Sequence, residues 1–193
     1  MSAQVMPNRT EGHEGAVSIP CRAPSVEVYR LLADIRSHLE WGGGQSPTSQ
    51  WLVSLDAPEG PAEAGTRFQS VGHTPQGTWH DRSTVLSAIP HELFEFRTEG
   101  ILAANRPAVG EWWHRYEIHP RPGGCVIRYR CRWQLSPTQL DHAHRLHRAV
   151  FSQLVLPGIW ERGLRSLAKM AEGQVVTLPA LSNEAVASVS ARG

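Results

Sequence analysis

From Glu111 to Gln134 hydrophobic and polar positions alternate along two arms separated by one turn. In the first arm Trp112, His114, Tyr116 and Ile118 alternate with Trp113, Arg115, Glu117 and His119. In the second, Ile127, Tyr129, Cys131 and Trp133 alternate with Arg128, Arg130 and Arg132. A period of two means β-strands with one sheltered and one wet face. The segment Pro120-Arg121-Pro122-Gly123-Gly124 joins them, Pro presetting a negative φ and Gly accepting a positive one. Both arms stay in phase when the turn centres on Pro122-Gly123. That register predicts Tyr116 opposite Tyr129, His114 opposite Cys131 and Trp112 opposite Trp133. On the wet face it sets Glu117 against Arg128, an attractive pair, and Arg115 against Arg130, a repulsive one. The sheltered face mixes aromatic rings with polar tips, so it is either core with satisfied hydroxyls or the wall of a ligand cavity.

Elsewhere the pattern predicts a short strand from Ala16 to Cys21 and a helix opening at Ala23-Pro24-Ser25, with Pro in its first turn. Val28, Leu31, Leu32 and Ile35 form its apolar stripe; it runs to about Leu39 and ends at Trp41-Gly42-Gly43-Gly44. Further strands are predicted from Trp51 to Leu55, Thr66 to Val71, Thr78 to Ala88 and Leu93 to Thr98, with a loop from Glu99 to Gly110. After the hairpin, Ser136-Pro137-Thr138-Gln139 starts a long helix. Pro157-Gly158 should kink or break it before it resumes to Glu172 and stops at Gly173. The order is strand, helix, a run of antiparallel strands, then one long helix. That is an α+β domain over residues 16–173, with a flexible leader (1–15) and a C-terminal tail (174–193) expected to be poorly ordered.

Composition narrows the function. The 193 residues carry 19 basic and 18 acidic side chains for a net charge of +1, so nothing drives the chain toward nucleic acid or an anionic membrane. Cys21, Cys125 and Cys131 supply no Cys-x-x-Cys and no even disulfide framework, and Cys125 and Cys131 sit about 20 Å apart on one strand. A reducing cytoplasmic location is expected. The leader lacks the apolar run of a signal peptide, and no stretch is long enough to cross a bilayer.

Several phrases, in order, resemble the bacterial SRPBCC superfamily, with its START-like or Bet v 1-like helix-grip fold. Ile19-Pro20 through Ala23-Pro24, Val28 to Asp34 and the following Trp41 look like its first strand and helix. Gly65-Thr66-Arg67-Phe68 and Trp79 to Val85 resemble middle strands of its polyketide cyclase/dehydrase branch. His114 to Ile118 with Gly124 to Ile127 resembles the late hairpin, and Gly163 to Leu167 the end of the grip helix. The match spans roughly residues 16 to 172. It implies a curved sheet wrapped around the long helix, a cavity between them and a hydrophobic or aromatic small molecule as guest. It implies no particular reaction.

Strand parity gives the inward side chains: Phe68, Ser70, Trp79, Asp81, Ser83, Phe94, Phe96, Trp112, His114, Tyr116, Tyr129, Cys131 and Trp133. Phe151, on the long helix, joins the candidate ligand contacts. Asp81 shares the phase of Trp79 and Val85, and in an apolar cavity its pKa should rise by desolvation. It then reads as a general acid/base or an acceptor for a ligand hydroxyl, unless a strand bulge turns it outward beside Arg82. His114 with Tyr116 and Tyr129 reads as a proton-handling cluster or as polar tips that satisfy one another. His142, His144 and His147 lack any zinc spacing, and no metal or cofactor is implied. The leading expectation is therefore a binder of a hydrophobic, polyketide-like metabolite. The rivals are a polyketide cyclase or dehydratase using Asp81, His114 and Tyr116, and a self-resistance protein that sequesters a reactive natural product.

Overall fold

The computed structural model describes residues 13–42, 52–74, 77–103, 108–135 and 156–174. Its strands are β1 (His13–Cys21), β2 (Ser54–Asp56), β3 (Arg67–Thr74), β4 (Gly77–Ile89), β5 (Leu93–Ala103), β6 (Ala108–Arg121) and β7 (Gly124–Leu135). They form one antiparallel sheet in the order β1-β7-β6-β5-β4-β3-β2. Among the described residues three α-helices accompany it: α1 (Ser25–Ala33), α2 (His38–Trp41) and α3 (Leu156–Ala171). The architecture is α+β, a curved antiparallel meander with a C-terminal helix on its inner side.

The β6–β7 register is the predicted one: Tyr116 faces Tyr129, His114 faces Cys131, and Trp112 faces Trp133. Gly123 takes φ +78°, the left-handed value that the turn requires after Pro122. On the outer face Glu117 accepts hydrogen bonds from Arg115 (3.0 Å) and Arg130 (2.5 Å). It thereby bridges the two arginines whose direct pairing would repel, and Arg132 lies 4.2 Å over the Trp113 ring.

Three expectations change. The predicted loop from Glu99 to Gly110 is mostly strand, because β5 and β6 keep pairing through Gly100–Gly110, Ile101–Val109 and Leu102–Ala108. Here the apolar Ile101 and Val109 point outward, about half exposed, while glycines take the inner positions, so the polarity pattern is locally inverted. The first helix is not continuous to Leu39. It breaks at Asp34 into a 3-10 turn over Ile35–Ser37 and then α2. Ser37 Oγ donates to the Leu31 carbonyl (2.7 Å) and His38 Nε2 bonds the Leu32 carbonyl (2.8 Å), so side chains take over acceptors left open by the break. Finally, β1 starts at His13, inside the predicted leader. Pro157 and Gly158 lie in the first described turn of α3, and the predicted helix before them (136–155) lies outside the described residues, as do most of the leader and the tail. Gly173 (φ +75°) ends α3 as predicted, with the Gln174 N–H donating to the Lys169 carbonyl.

Val28, Leu31, Leu32 and Ile35 are buried against the sheet together with Leu164, Leu167 and Ala168 of α3. α3 rests mainly on β1, where Gly15 admits the Trp160 ring; a Cβ there would lie 2.6 Å from it. Trp160 in turn packs edge-on to Tyr129 (5.4 Å) and Trp133 (5.7 Å). Gly15→Val should therefore unseat Trp160 and destabilise the fold by about 1–3 kcal/mol, the usual cost of overpacking. Urea unfolding with near-UV circular dichroism checks this: an unchanged midpoint and an unchanged tryptophan signal would contradict the wedge.

Candidate functional site

Antiparallel pairing arranges the inner face of the sheet in rows. One row runs Phe94, Tyr116, Tyr129, Val17; the next runs Val85, Phe96, His114, Cys131, Gly15. A third runs Phe68, Ser83, Thr98, Trp112, Trp133, His13, and a fourth runs Ser70, Asp81, Gly100, Gly110. Trp79 stands one row beyond Asp81 on β4. Phe94 (0% exposed), Tyr116, Tyr129, Val85, Phe96 and Cys131 are buried in the first two rows and Phe68, Ser83, Thr98 and Trp133 in the third, with Val17, His114 and Trp112 partly exposed; beyond them Ser70, Trp79 and Asp81 all keep partial exposure. The face is thus packed at one end and accessible at the other.

α2 packs the closed end. His38, which sequence reasoning did not single out, is buried with its ring 4.6 Å from Trp41 and 6.2 Å from both Phe94 and Phe96. Trp41 reaches Tyr116, edge-on at 6.0 Å. His38 follows Leu31 and Ile35 at helical spacing, so the apolar stripe itself could have flagged it as inward-facing. Phe96 lies at the centre, stacked on His114 at 4.5 Å and met edge-on by Phe68 at 5.4 Å.

His114 Nδ1 lies 2.7 Å from the Tyr129 hydroxyl, and the Tyr129 ring packs 4.7 Å from Tyr116. Burial lowers the His114 pKa to about 3, with His38 adding repulsion, and burial lowers that of His38 to about 4. Both imidazoles are neutral at physiological pH. Burial also raises the Tyr116 and Tyr129 phenols and lifts the Cys131 thiol to about 12, so this cluster is an uncharged hydrogen-bonding wall.

Asp81 faces inward. The one register shift on this strand falls at Val85/Ser87, beyond Asp81, which therefore keeps the phase of Trp79 and Ser83. Gly100, directly opposite, makes the room: a Cβ on it would lie 2.2 Å from Asp81 Oδ1, 2.8 Å from Trp112 and 3.2 Å from Trp79. Trp79 and Trp112 meet edge to face at 4.9 Å, so carboxylate and indoles converge on one glycine. Desolvation raises the Asp81 pKa to about 7, and no hydrogen bond or ion pair to it is present among the described residues. The neighbouring hydroxyls of Ser83 and Thr98 bond each other at 2.8 Å instead.

The predicted acid/base residues fall into two groups. Asp81 lies two rows and two strands from His114, about 16 Å at ordinary sheet spacings, and Tyr116 is farther still. His114, Tyr116, Tyr129 and Cys131 stand together, as do Asp81, Trp79, Trp112 and Ser70. Phe94 is sealed beneath His38, Trp133 packs against His13 and Trp160, and Phe151 lies outside the described residues, as do His142, His144 and His147. No group of three metal-ligating side chains occurs among the described residues, and no helix there is long and apolar enough to cross a membrane. A separate open depression of about 830 Å³ lies chiefly against the outer face, beside Arg67, Gln69, Arg82 and Arg97.

No protein-family model and no curated protein sequence matches the chain. Solved structures do. The di-domain ARO/CYC StfQ from the steffimycin biosynthetic pathway aligns with TM-score 0.64 and 15% identity over 86% of this chain, which spans about half (52%) of that longer protein. KanY aligns with TM-score 0.56 and 17% identity over 83% of this chain and 98% of its own. Ara h 8.0201, a Bet v 1-like protein, gives TM-score 0.54 and 10% identity over 84% and 99%. The chain has the Bet v 1-like helix-grip fold seen also in polyketide cyclases; identities this low speak for the fold alone.

The Asp81 environment carries a pH signature. Its folded pKa of about 7 exceeds the ordinary 3.8, so the native state holds this proton more tightly than the unfolded chain does. The contribution is fully present below pH 4 and is lost as pH rises to about 7. Asp81→Asn cannot titrate and should escape that loss. Its melting temperature relative to wild type should be higher at pH 8 than at pH 4 by roughly 2–6 °C. Protonation of His38 and His114 affects both proteins and cancels in the difference. Equal offsets at the two pH values would show Asp81 to be solvated.

Proposed function

We propose that the protein binds a hydrophobic, aromatic small molecule, polyketide-like in character, against the open end of the inner face. The observation that carries this reading is the gradient of packing. α2 and α3 fill the Phe94 end, while the Trp79, Asp81 and Trp112 corner keeps aromatic surface accessible beside a few polar groups, the usual lining of a small-molecule site. Polycyclic aromatic probes should quench tryptophan fluorescence and raise the melting temperature by mass action. Trp112→Ala should weaken binding about tenfold by removing one ring of the corner. A broad panel with neither quenching nor thermal shift would remove the proposal.

A second reading is catalysis of polyketide cyclisation or dehydration. It is favoured by the Asp81 pKa near 7, suited to giving and taking a proton at neutral pH, and by the neutral His114–Tyr129 pair as a donor to a guest carbonyl. The separation of the two groups assigns them to different parts of an extended guest. With a poly-β-ketone substrate, Asp81→Asn should lower turnover at least about 100-fold with little change in binding. An unaltered product profile would leave binding as the function.

A further inference from the structure

The inner face has an unusual charge balance. Parity sends every arginine on β3 to β7 to the outer face, including Arg82 and Arg97 beside the Asp81 row, and sends Glu95, Glu99, Glu111 and Glu117 there too. Asp81 is the one acidic side chain on the inner face of these strands among the described residues. The imidazoles on or against that face are those of His13, at the far edge on β1, of the partly buried His114, and of His38, buried on α2 above Phe96. No protein cation therefore approaches the carboxylate in the described structure. Two partly exposed indoles stand over the same glycine, and an indole face attracts cations as a carboxylate does.

We infer that the Asp81–Trp79–Trp112 corner recognises a protonated amine carried by the aromatic guest, the ammonium resting against the indoles with its N–H groups donating to Asp81. The inference rests on the binding function proposed above and names the head group that the site selects. A neutral hydroxyl would satisfy one lone pair of Asp81 but leave its charge without a counter-ion. An alkylammonium supplies hydrogen bonds, charge and a polarising partner for the rings at once. The body of the guest would then extend along the row of Ser83, Thr98 and Trp112 toward Phe96.

The test uses two probes with one apolar body, 2-naphthylmethylamine and 2-naphthalenemethanol, titrated into the full chain at about pH 8 and followed by tryptophan fluorescence and calorimetry. The amine should bind at least about fivefold more tightly than the alcohol. Asp81→Asn should bring that ratio to about one, and raised salt should weaken the amine alone. Binding of both probes with equal affinity by the wild type overturns the amine inference and leaves the aromatic pocket standing. A preference that survives in Asp81→Asn overturns it equally, by placing the selectivity elsewhere. Binding of neither probe overturns the pocket and the amine together.

Discussion

The antiparallel register of the sheet is the constraint on which the remaining structure depends. Side chains alternate with a period of two, so a slip of one residue in β6–β7 would carry the arginines of the slipped strand inward and its inner-face aromatic rings into water. The Pro122-Gly123 turn fixes the phase locally. The outer face then enforces it, since Glu117 can serve Arg115 and Arg130 together only when all three share one side. β5, β4 and β1 inherit the phase through their own pairings. The same register makes the inner face a set of continuous rows instead of a scatter of residues.

Helices decide what those rows become. The break at Asp34 folds α2 back so that His38 and Trp41 cover Phe94, Phe96 and Tyr116. Because Ser37 and His38 bond carbonyls freed by that break, the bend is compensated where it occurs. On the other side Gly15 lets Trp160 descend onto Tyr129. One half of the sheet is thereby closed with neutral polar tips, His114 bonded to Tyr129 inside a shell of aromatic rings.

The sequence was legible where alternation was regular. The hairpin pairing follows from period two; the direction of Asp81 stayed open between inward and bulged, and the single register shift on its strand falls beyond it. Legibility failed where polarity and orientation parted. Ile101 and Val109 are apolar yet outward, and Gly100 and Gly110 are inward without side chains, so two real strand ends read as a loop. His38 stood at helical spacing from Leu31 and Ile35, but the sequence carries no mark of the Leu32 carbonyl that its imidazole bonds once the helix breaks. The convergence on Gly100 was hidden for another reason: it joins residues from three strands, and spacing along the chain carries no trace of it.

That convergence also explains why a carboxylate there is informative. A desolvated acid without a partner costs stability, and replacing it with an amide of the same shape would relieve most of that cost. Structural polar groups in this sheet behave differently: Ser83 bonds Thr98, His114 bonds Tyr129, and Glu117 holds two arginines. Asp81, with no such partner among the described residues, departs from that pattern. Its position is also maintained by a neighbour, since any side chain at residue 100 would collide with the carboxylate and with Trp112 and press on Trp79. Among the described residues that dedicated space holds a carboxylate without a counter-ion, which is the demand that the proposed amine would meet.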